Sequence, residues 1–250
     1  MSRPPSGRRW YVPPSESTKM AAVVCALHAA ALAWYVFGLW QNVQVTGSTL
    51  GHGAHTYGGR WKYLTFINQV LQTIFFGVCV LADLCPLFVS RKNGLGSFIV
   101  KLRDMIFSVL AFPVGVFVVT SFWSIYAYDR ELVYPEVLDS FIPQWLNHAM
   151  HTYVLPLLLI ELFACSHQYP NKKNALLVLG IFCLAYVSWL LWVHQASGIW
   201  AYPILEKLDA VGKSLFFATS FLIIIPFYQL GESLTRLQWG GRKSTKKKVK

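Results

Sequence analysis

The sequence predicts an all-α, polytopic membrane protein with six transmembrane helices and both termini in the cytosol. Three observations carry this. Hydrophobic residues make up 55% of the 250-residue chain and charged residues only 13%, about half the charged share of an average soluble domain. Charges are absent from six windows: Met20–Gly59, Tyr63–Ala82, Met105–Tyr128, Ser140–Ile160, Asn174–Leu205 and Ser214–Gly231. Lys and Arg, finally, favour alternate connections between those windows. A mean hydropathy of +0.44, with 10 Trp, 12 Tyr and 17 Phe, excludes two classes. A water-soluble domain would lack the charge to cover its surface, and a disordered chain would lack these hydrophobes.

A helix needs about 20 residues to cross the hydrocarbon core. Five windows satisfy this, and the sixth does so when Lys213 and Glu232 extend their heads to the interface. The expected spans centre near Trp34, Gln72, Phe117, Leu155, Phe182 and Ile223. Helices are required because lipid cannot satisfy an open strand edge, and the ten-residue alternation of a membrane barrel does not occur. Residues 1–19, rich in Pro, Ser and Arg, read as a disordered cytosolic leader. Residues 20–235 form the six-helix domain and 236–250 a basic cytosolic tail. The first window is too long for a cleaved signal peptide and lacks an A-x-A site, so it stays as a signal anchor.

With the N-terminus inside, cytosolic segments hold 17 Lys and Arg and outer loops five: Arg60, Lys62, Arg130, Lys207 and Lys213. Positive charge stays on the cytosolic side, so topology accounts for the net charge of +11 with no nucleic-acid partner. The tail lysines (Lys243, Lys246, Lys247, Lys248, Lys250) are expected to meet anionic lipid. The ending Lys247-Lys248-Val249-Lys250 resembles a dilysine retrieval signal, which leaves endoplasmic reticulum or cell membrane as the residence. The cysteines are odd in number, five, and Cys25, Cys79 and Cys183 fall inside spans, so no disulfide framework is expected. Cys85 and Cys165, at inner helix ends, read as small apolar fillers before palmitoylation sites. Trp61, Trp123, Trp145, Trp192 and Trp200 read as an outer aromatic belt. The stretches Trp123–Leu138 and Trp192–Leu205 echo each other, each leaving a span through a Tyr-Pro pair (Tyr134-Pro135, Tyr202-Pro203), as duplicated hairpins would.

Polar side chains within the spans are the informative ones, because each is costly facing lipid. Thr65, Asn68, Gln69, Gln72 and Thr73 form a stripe down one face of the second helix. Gln144, Asn147, His148, His151 and Thr152 do the same on the fourth. Both helices run inward from the outer side, so Thr65 and His151 can share a layer in the outer half of the bundle. A hydroxyl within reach of an imidazole suits nucleophilic acyl transfer, the imidazole taking the proton during attack and returning it to the leaving group. From the pattern alone, interhelical hydrogen bonding is the leading description, ahead of catalysis and of a transport path.

His148 and His151, three apart on one helix face, could share a metal with His194, His52 or His55. The stripes carry no acidic ligand and no H-E-x-x-H motif, so no metal or other cofactor is expected. A bis-His haem needs facing pairs, and His28, near the inner side, has no obvious mate for one. Asp83 and Glu161 read as headgroup ion pairs with Arg91, Lys92 and Lys172. Asp129, Glu131, Glu136 and Asp139 read as a solvated outer face from which one carboxylate could orient a histidine.

Several segments resemble the androgen-induced protein family: Thr56-Tyr57-Gly58-Gly59-Arg60-Trp61-Lys62-Tyr63-Leu64-Thr65, Ala111-Phe112-Pro113-Val114-Gly115-Val116-Phe117-Val118, Trp145-Leu146-Asn147-His148-Ala149-Met150-His151-Thr152 and Leu230-Gly231-Glu232. All fall in order between Thr56 and Trp239. Arg60-Trp61-Lys62-Tyr63, Leu71-Gln72-Thr73-Ile74-Phe75 and the Lys-rich tail are nearest to the branch that regulates tissue factor pathway inhibitor. The resemblance implies a six-helix membrane hydrolase for fatty acid esters of hydroxy fatty acids. It places the threonine nucleophile on Thr65 and the essential histidine on His151. Such a lipid substrate would react through an acyl-enzyme, with Asn68, Gln69, Asn147 and His148 as candidate oxyanion donors. No acidic orienter for His151 is evident in the sequence. A non-catalytic membrane regulator of coagulation-inhibitor expression and a transporter are the alternative readings.

Overall fold

The computed structural model describes residues 14–48, 56–88 and 94–247. Residues 1–13 of the leader, His52, His55, Arg91, Lys92 and the terminal Lys248, Val249 and Lys250 lie outside these. Among the described residues all regular structure is helical. The long elements are α1 (Pro14–Ser48), α2 (Leu64–Phe88), α3 (Gly94–Ile106), α4 (Phe112–Tyr128), α5 (Gln144–His151), α6 (Val154–Ala164), α7 (Lys172–Ser197), α8 (Pro203–Lys207) and α9 (Ala210–Lys247). Five helical stretches are long and apolar enough to cross a bilayer: Lys19–Val45, Leu64–Cys85, Gly94–Tyr128, Lys172–Ser197 and Ala210–Gly240.

The stretch expected as a fourth span, centred near Leu155, is not one continuous helix. It is divided into α5 and α6, and the apolar part, Val154–Ala164, is only 11 residues long. Pro156 supplies the reason. It has no N–H for the Thr152 carbonyl, and its ring crowds that carbonyl. The chain widens instead, so that Thr152 N and Tyr153 N both donate to His148 O, at 2.8 and 3.0 Å. The third stretch has a related irregularity, a π turn over Phe107–Ala111 just ahead of Pro113. Single wide turns of this kind commonly sit at functional positions in helices.

α2 lies at the centre, packed against α1, α3 and α4. A cluster of Phe75, Phe76, Phe107, Phe112, Val116 and Leu158 fills the space between them. Gly115 lets α4 press on both α6 and α2: a Cβ there would lie 2.5 Å from Leu158 Cδ1 and 3.0 Å from Gln72 Nε2. The stripe on α2 is buried by these contacts. Gln72 Nε2 donates to Asn68 Oδ1 at 3.1 Å and to Ala111 O, at the end of the π turn, at 2.9 Å.

At the opposite end of α2 from Thr65, the ionisable residues depart from expectation. Glu161 is 2% exposed and sits between two histidines instead of reaching Lys172. His28 Nε2 lies 2.7 Å from its Oε2, and His167 Nε2 lies 2.8 Å from its Oε1. His28 is engaged at both ring nitrogens, since its Nδ1 also lies 2.6 Å from Asp83 Oδ2. The chain continues from His167 Nδ1 to Asp104 Oδ1 at 3.1 Å, and Arg103 binds the same oxygen at 2.8 Å. Three carboxylates thus alternate with two imidazoles and a guanidinium, an arrangement that offsets the cost of burying each charge alone. Cys85 and Cys165 are both buried, with free thiols.

Candidate active site

Thr65 is the second residue of α2, and the start of that helix is held firmly. A 3-10 turn over Gly59–Lys62 leads into it, with Tyr63 extended at its end. The N–H of Leu64 donates to two phenol oxygens, Tyr186 at 3.0 Å and Tyr202 at 2.8 Å. Tyr186 Oη in turn donates to Lys62 O at 3.0 Å. These contacts fix the direction in which the first turn of α2 presents its side chains and N–H groups.

His151 ends α5, at the widened turn. Its Nε2 lies 3.2 Å from Thr65 Oγ1. Its Nδ1 lies 3.0 Å from the backbone carbonyl of Asn147 and 2.7 Å from that residue's Oδ1. A backbone carbonyl can only accept, so Nδ1 carries the proton and the Nε2 lone pair faces the threonine hydroxyl. The imidazole stacks on Phe122 with centroids 3.5 Å apart and planes 10° from parallel. Trp123 Nε1 donates to the His151 carbonyl at 2.9 Å. Ring plane, tautomer and main chain are therefore each fixed by a separate contact.

Thr65 borders two cavities. One, about 400 Å³, includes Arg60, Lys62, Thr65, Tyr134, Met150 and His151 in its wall. The other, about 470 Å³ and largely hydrocarbon-lined, includes Thr65, Val118, Phe182, Leu190, Phe217 and Ile224. Thr65, Phe122, Val133 and Tyr202 belong to both, so the hydroxyl stands where the two meet. Both Tyr-Pro corners contribute to the first cavity, through Tyr134, Pro135, Tyr202 and Pro203. The Lys62 side chain donates to Thr56 Oγ1 and Arg60 Nη2 donates to Val43 O at 2.8 Å. Burial pushes the Lys62 ammonium below the ordinary lysine value.

Thr65 and His151 come together, while the other sequence candidates stand behind them. Asn147 engages the far nitrogen of His151. His148 Nδ1 lies 2.9 Å from Thr152 Oγ1, and its ring stacks on Trp123. Gln69 points towards α1, where a Cβ on Gly38 would lie 2.8 Å from its Nε2. Asn68 is fully buried beside Gln72, with its Nδ2 lacking a partner among the described residues. None of these four borders either cavity. One turn from Thr65 and His151 along their helices, these side chains meet neighbouring helices or His151 itself instead of the cavities.

The carboxylates of the segment between α4 and α5 do not orient His151. Asp139 pairs with Arg130 at 2.7 Å, and Asp129 accepts from Glu131 N. The supporting residues missed in the sequence are Phe122, Trp123, Lys62 and the Asn147 side chain as orienter. Asn147 and His151 are four apart on one helix, so their contact did have a sequence signal.

Fold and site together define a multi-pass helical membrane protein whose hydroxyl–imidazole–amide chain opens on two largely apolar cavities. The chain belongs to the FAR-17a/AIG1-like protein family, whose sequence profile matches residues 23–236. It is 48% identical over 195 residues to the human androgen-induced gene 1 protein, covering 76% of this chain and 82% of that one. It is 40% identical over 226 residues to the human androgen-dependent TFPI-regulating protein, covering 90% and 97%. A membrane protein of Schizosaccharomyces pombe is 27% identical over 176 residues, covering 69% and 74%. No solved structure matches the chain.

Proposed function

We propose that the chain is an integral membrane hydrolase that cleaves fatty acid esters of hydroxy fatty acids through an acyl-enzyme on Thr65. The observation that carries this reading is the oriented contact between Thr65 Oγ1 and His151 Nε2, backed by Asn147, at the junction of two cavities. In the first step His151 Nε2 takes the hydroxyl proton while Thr65 Oγ bonds to the ester carbonyl carbon. The tetrahedral intermediate collapses, the bond to the secondary alkoxide breaks, and Nε2–H protonates that alkoxide to release the hydroxy fatty acid. Water, deprotonated by the same nitrogen, then attacks the acyl-threonine. Thr65 regains its proton and the second fatty acid leaves. Leu64 N–H is taken by the two phenols and Phe66 and Ile67 N–H by Tyr63 O, so the Thr65 N–H and the positive end of the α2 dipole are the groups proposed to stabilise the oxyanion.

Two cavities suit a branched ester with two chains, and cations in one suit its free carboxylate. Lys62→Met is expected to raise the KM for the free acid about tenfold and leave the methyl ester unchanged, a charge-assisted hydrogen bond contributing about 1.5–3 kcal/mol. Equal effects on both substrates would remove the carboxylate role. Asn147→Leu is expected to lower kcat about a hundredfold with little change in KM, because the imidazole loses its orientation, whereas Asn147→Asp keeps most activity. Matched kinetics on the pair decide this, and equal losses would make Asn147 a packing residue only.

The direct test is hydrolysis of a palmitate ester of hydroxystearate by membranes carrying the wild type or His151→Ala at equal protein levels. Loss of activity in the variant supports the reading, and an inactive wild type would favour the regulator reading that one relative's name suggests. We also propose that α5 and α6 together complete a sixth span with both termini cytosolic, in line with the 17 to five division of basic residues. Epitope tags at both ends are expected to be reached by antibody only after the cytosolic face is opened. A tag accessible from the other face would reverse the topology.

A further inference from the structure

The ionic cluster at the far end of the bundle contains donors that ion pairing alone does not use. Beside His28 and Glu161 lie two thiols from different positions, Cys79 in the middle of α2 and Cys165 just past α6. Cys79 Sγ is 4.0 Å from Glu161 Oε1, and Cys165 Sγ is 3.7 Å from His28 Nε2. One ligand atom each from His28, Cys79 and Glu161 falls within a common 4.8 Å, and all three residues are buried. From this we infer that His28, Cys79 and Glu161, with Cys165 as the fourth donor, form a structural zinc site joining α1, α2 and α6.

Several independent features agree. Zinc takes four ligands of N, S and O type, with bonds of about 2.3 Å to sulfur and 2.0–2.1 Å to nitrogen, so tetrahedral ligand atoms stand about 3.3–3.8 Å apart. The separations of Cys165 Sγ from His28 Nε2, 3.7 Å, and of Cys79 Sγ from Glu161 Oε1, 4.0 Å, are already close to that. The 2.7 Å gap between His28 Nε2 and Glu161 Oε2 is shorter, because it is bridged by a proton that a cation would replace. The outer contacts are of the kind that metal ligands have. His28 offers its other nitrogen to Asp83, and Glu161 is held by His167, which Asp104 and Arg103 fix in turn. A ligating histidine almost always gives its second ring N–H to a carboxylate or carbonyl, and the ligating carboxylate is itself hydrogen-bonded. A cavity of about 170 Å³ between α1 and α6 is bounded by both His28 and Glu161. On binding, Zn²⁺ forms bonds to Nε2, one Glu161 oxygen and two thiolates, and the thiol protons and the shared proton pass to solvent. Along α2, Cys79 is about 21 Å from Thr65 at 1.5 Å per residue, so the cation takes no part in chemistry at Thr65, and this inference is independent of the hydrolase reading.

The test is metal content of the full chain, purified in detergent from zinc-supplemented cells. About one zinc per chain is expected for the wild type and for Cys85→Ser, and less than a fifth of that for Cys79→Ser and Glu161→Gln. Should those variants fail to fold, the wild type decides alone. After chelation under reducing conditions, Co²⁺ should give thiolate charge-transfer and tetrahedral d–d absorption that Zn²⁺ displaces. Absence of both stoichiometric zinc and that absorption in the wild type would overturn the inference, as would full zinc content in folded Cys79→Ser and Glu161→Gln.

Discussion

Thr65→Ala is expected to reduce ester hydrolysis to the background of membranes lacking the protein, a fall of at least about 10³-fold. The threonine oxygen is the only protein atom that bonds to the acyl carbon in the proposed cycle, so no acyl-enzyme can form without it. His151→Ala should fall similarly, since the hydroxyl is a poor nucleophile unless a base takes its proton. The double variant should be no worse than either single one. Groups that act as one unit are grossly non-additive, and removing the second from a disabled pair costs little. Thr65→Ser should keep a measurable part of the activity. It retains the oxygen but loses the branch that limits χ1, so the hydroxyl spends less time 3.2 Å from His151 Nε2. Product release measured by mass spectrometry at matched expression checks all four proteins. Activity surviving Thr65→Ala would move the nucleophile elsewhere, and additive losses in the double variant would mean the two residues act separately.

The sequence carried the site further than the architecture around it. Charge-free windows and helical spacing of polar residues put Thr65 and His151 at the same depth, because both depend only on rise per residue and chain direction. Their contact needed one more fact, that α2 and α5 are neighbours, which periodicity does not contain. The same gap hid Phe122 and Trp123. On α4 they read as apolar and interfacial residues, and only packing against α5 makes one a platform for His151 and the other a donor to its carbonyl. The broken fourth stretch was legible in Pro156 but was masked by the strong hydropathy of Val154–Ala164 around it. The larger misreading concerned His28, Asp83 and Glu161. Each sits near a charge-free window's edge or middle with no partner at helical spacing, so nothing local links them. His28 and Glu161 are 133 residues apart in the chain and 2.7 Å apart in the fold. A buried ionic chain assembled from four helices leaves no periodic trace.

That chain makes Glu161→Ala the variant with the largest expected effect on stability. Removing one partner of a buried ion pair costs about 3–5 kcal/mol, because the charge left behind has lost its hydration and its partner together. Here the loss is shared by two imidazoles, His28 and His167, both bonded to the same carboxylate and both buried. For a chain of this size 1 kcal/mol corresponds to about 2–4 °C in Tm, so the midpoint should drop by about 6–20 °C. Cys79, fully buried at 0% exposure, provides the readout once the partly buried Cys25 and Cys183 are replaced by Ala, since a thiol-reactive fluorophore then reaches it only as the bundle opens. The contrast is Glu232, whose 2.6 Å bond to Arg236 is an i, i+4 pair with the Arg236 side chain 76% exposed. Such pairs contribute about 0.3–0.5 kcal/mol, and Glu232→Ala should leave the midpoint within about 2 °C. The distances in the two pairs are almost the same, so the difference in outcome comes from burial and from the number of groups left unpaired. A Glu161→Ala midpoint as little changed as that of Glu232→Ala would mean that water reaches the cluster and screens it. Hydrolysis per folded molecule should be unaltered by either change, because both sit far along the bundle from Thr65.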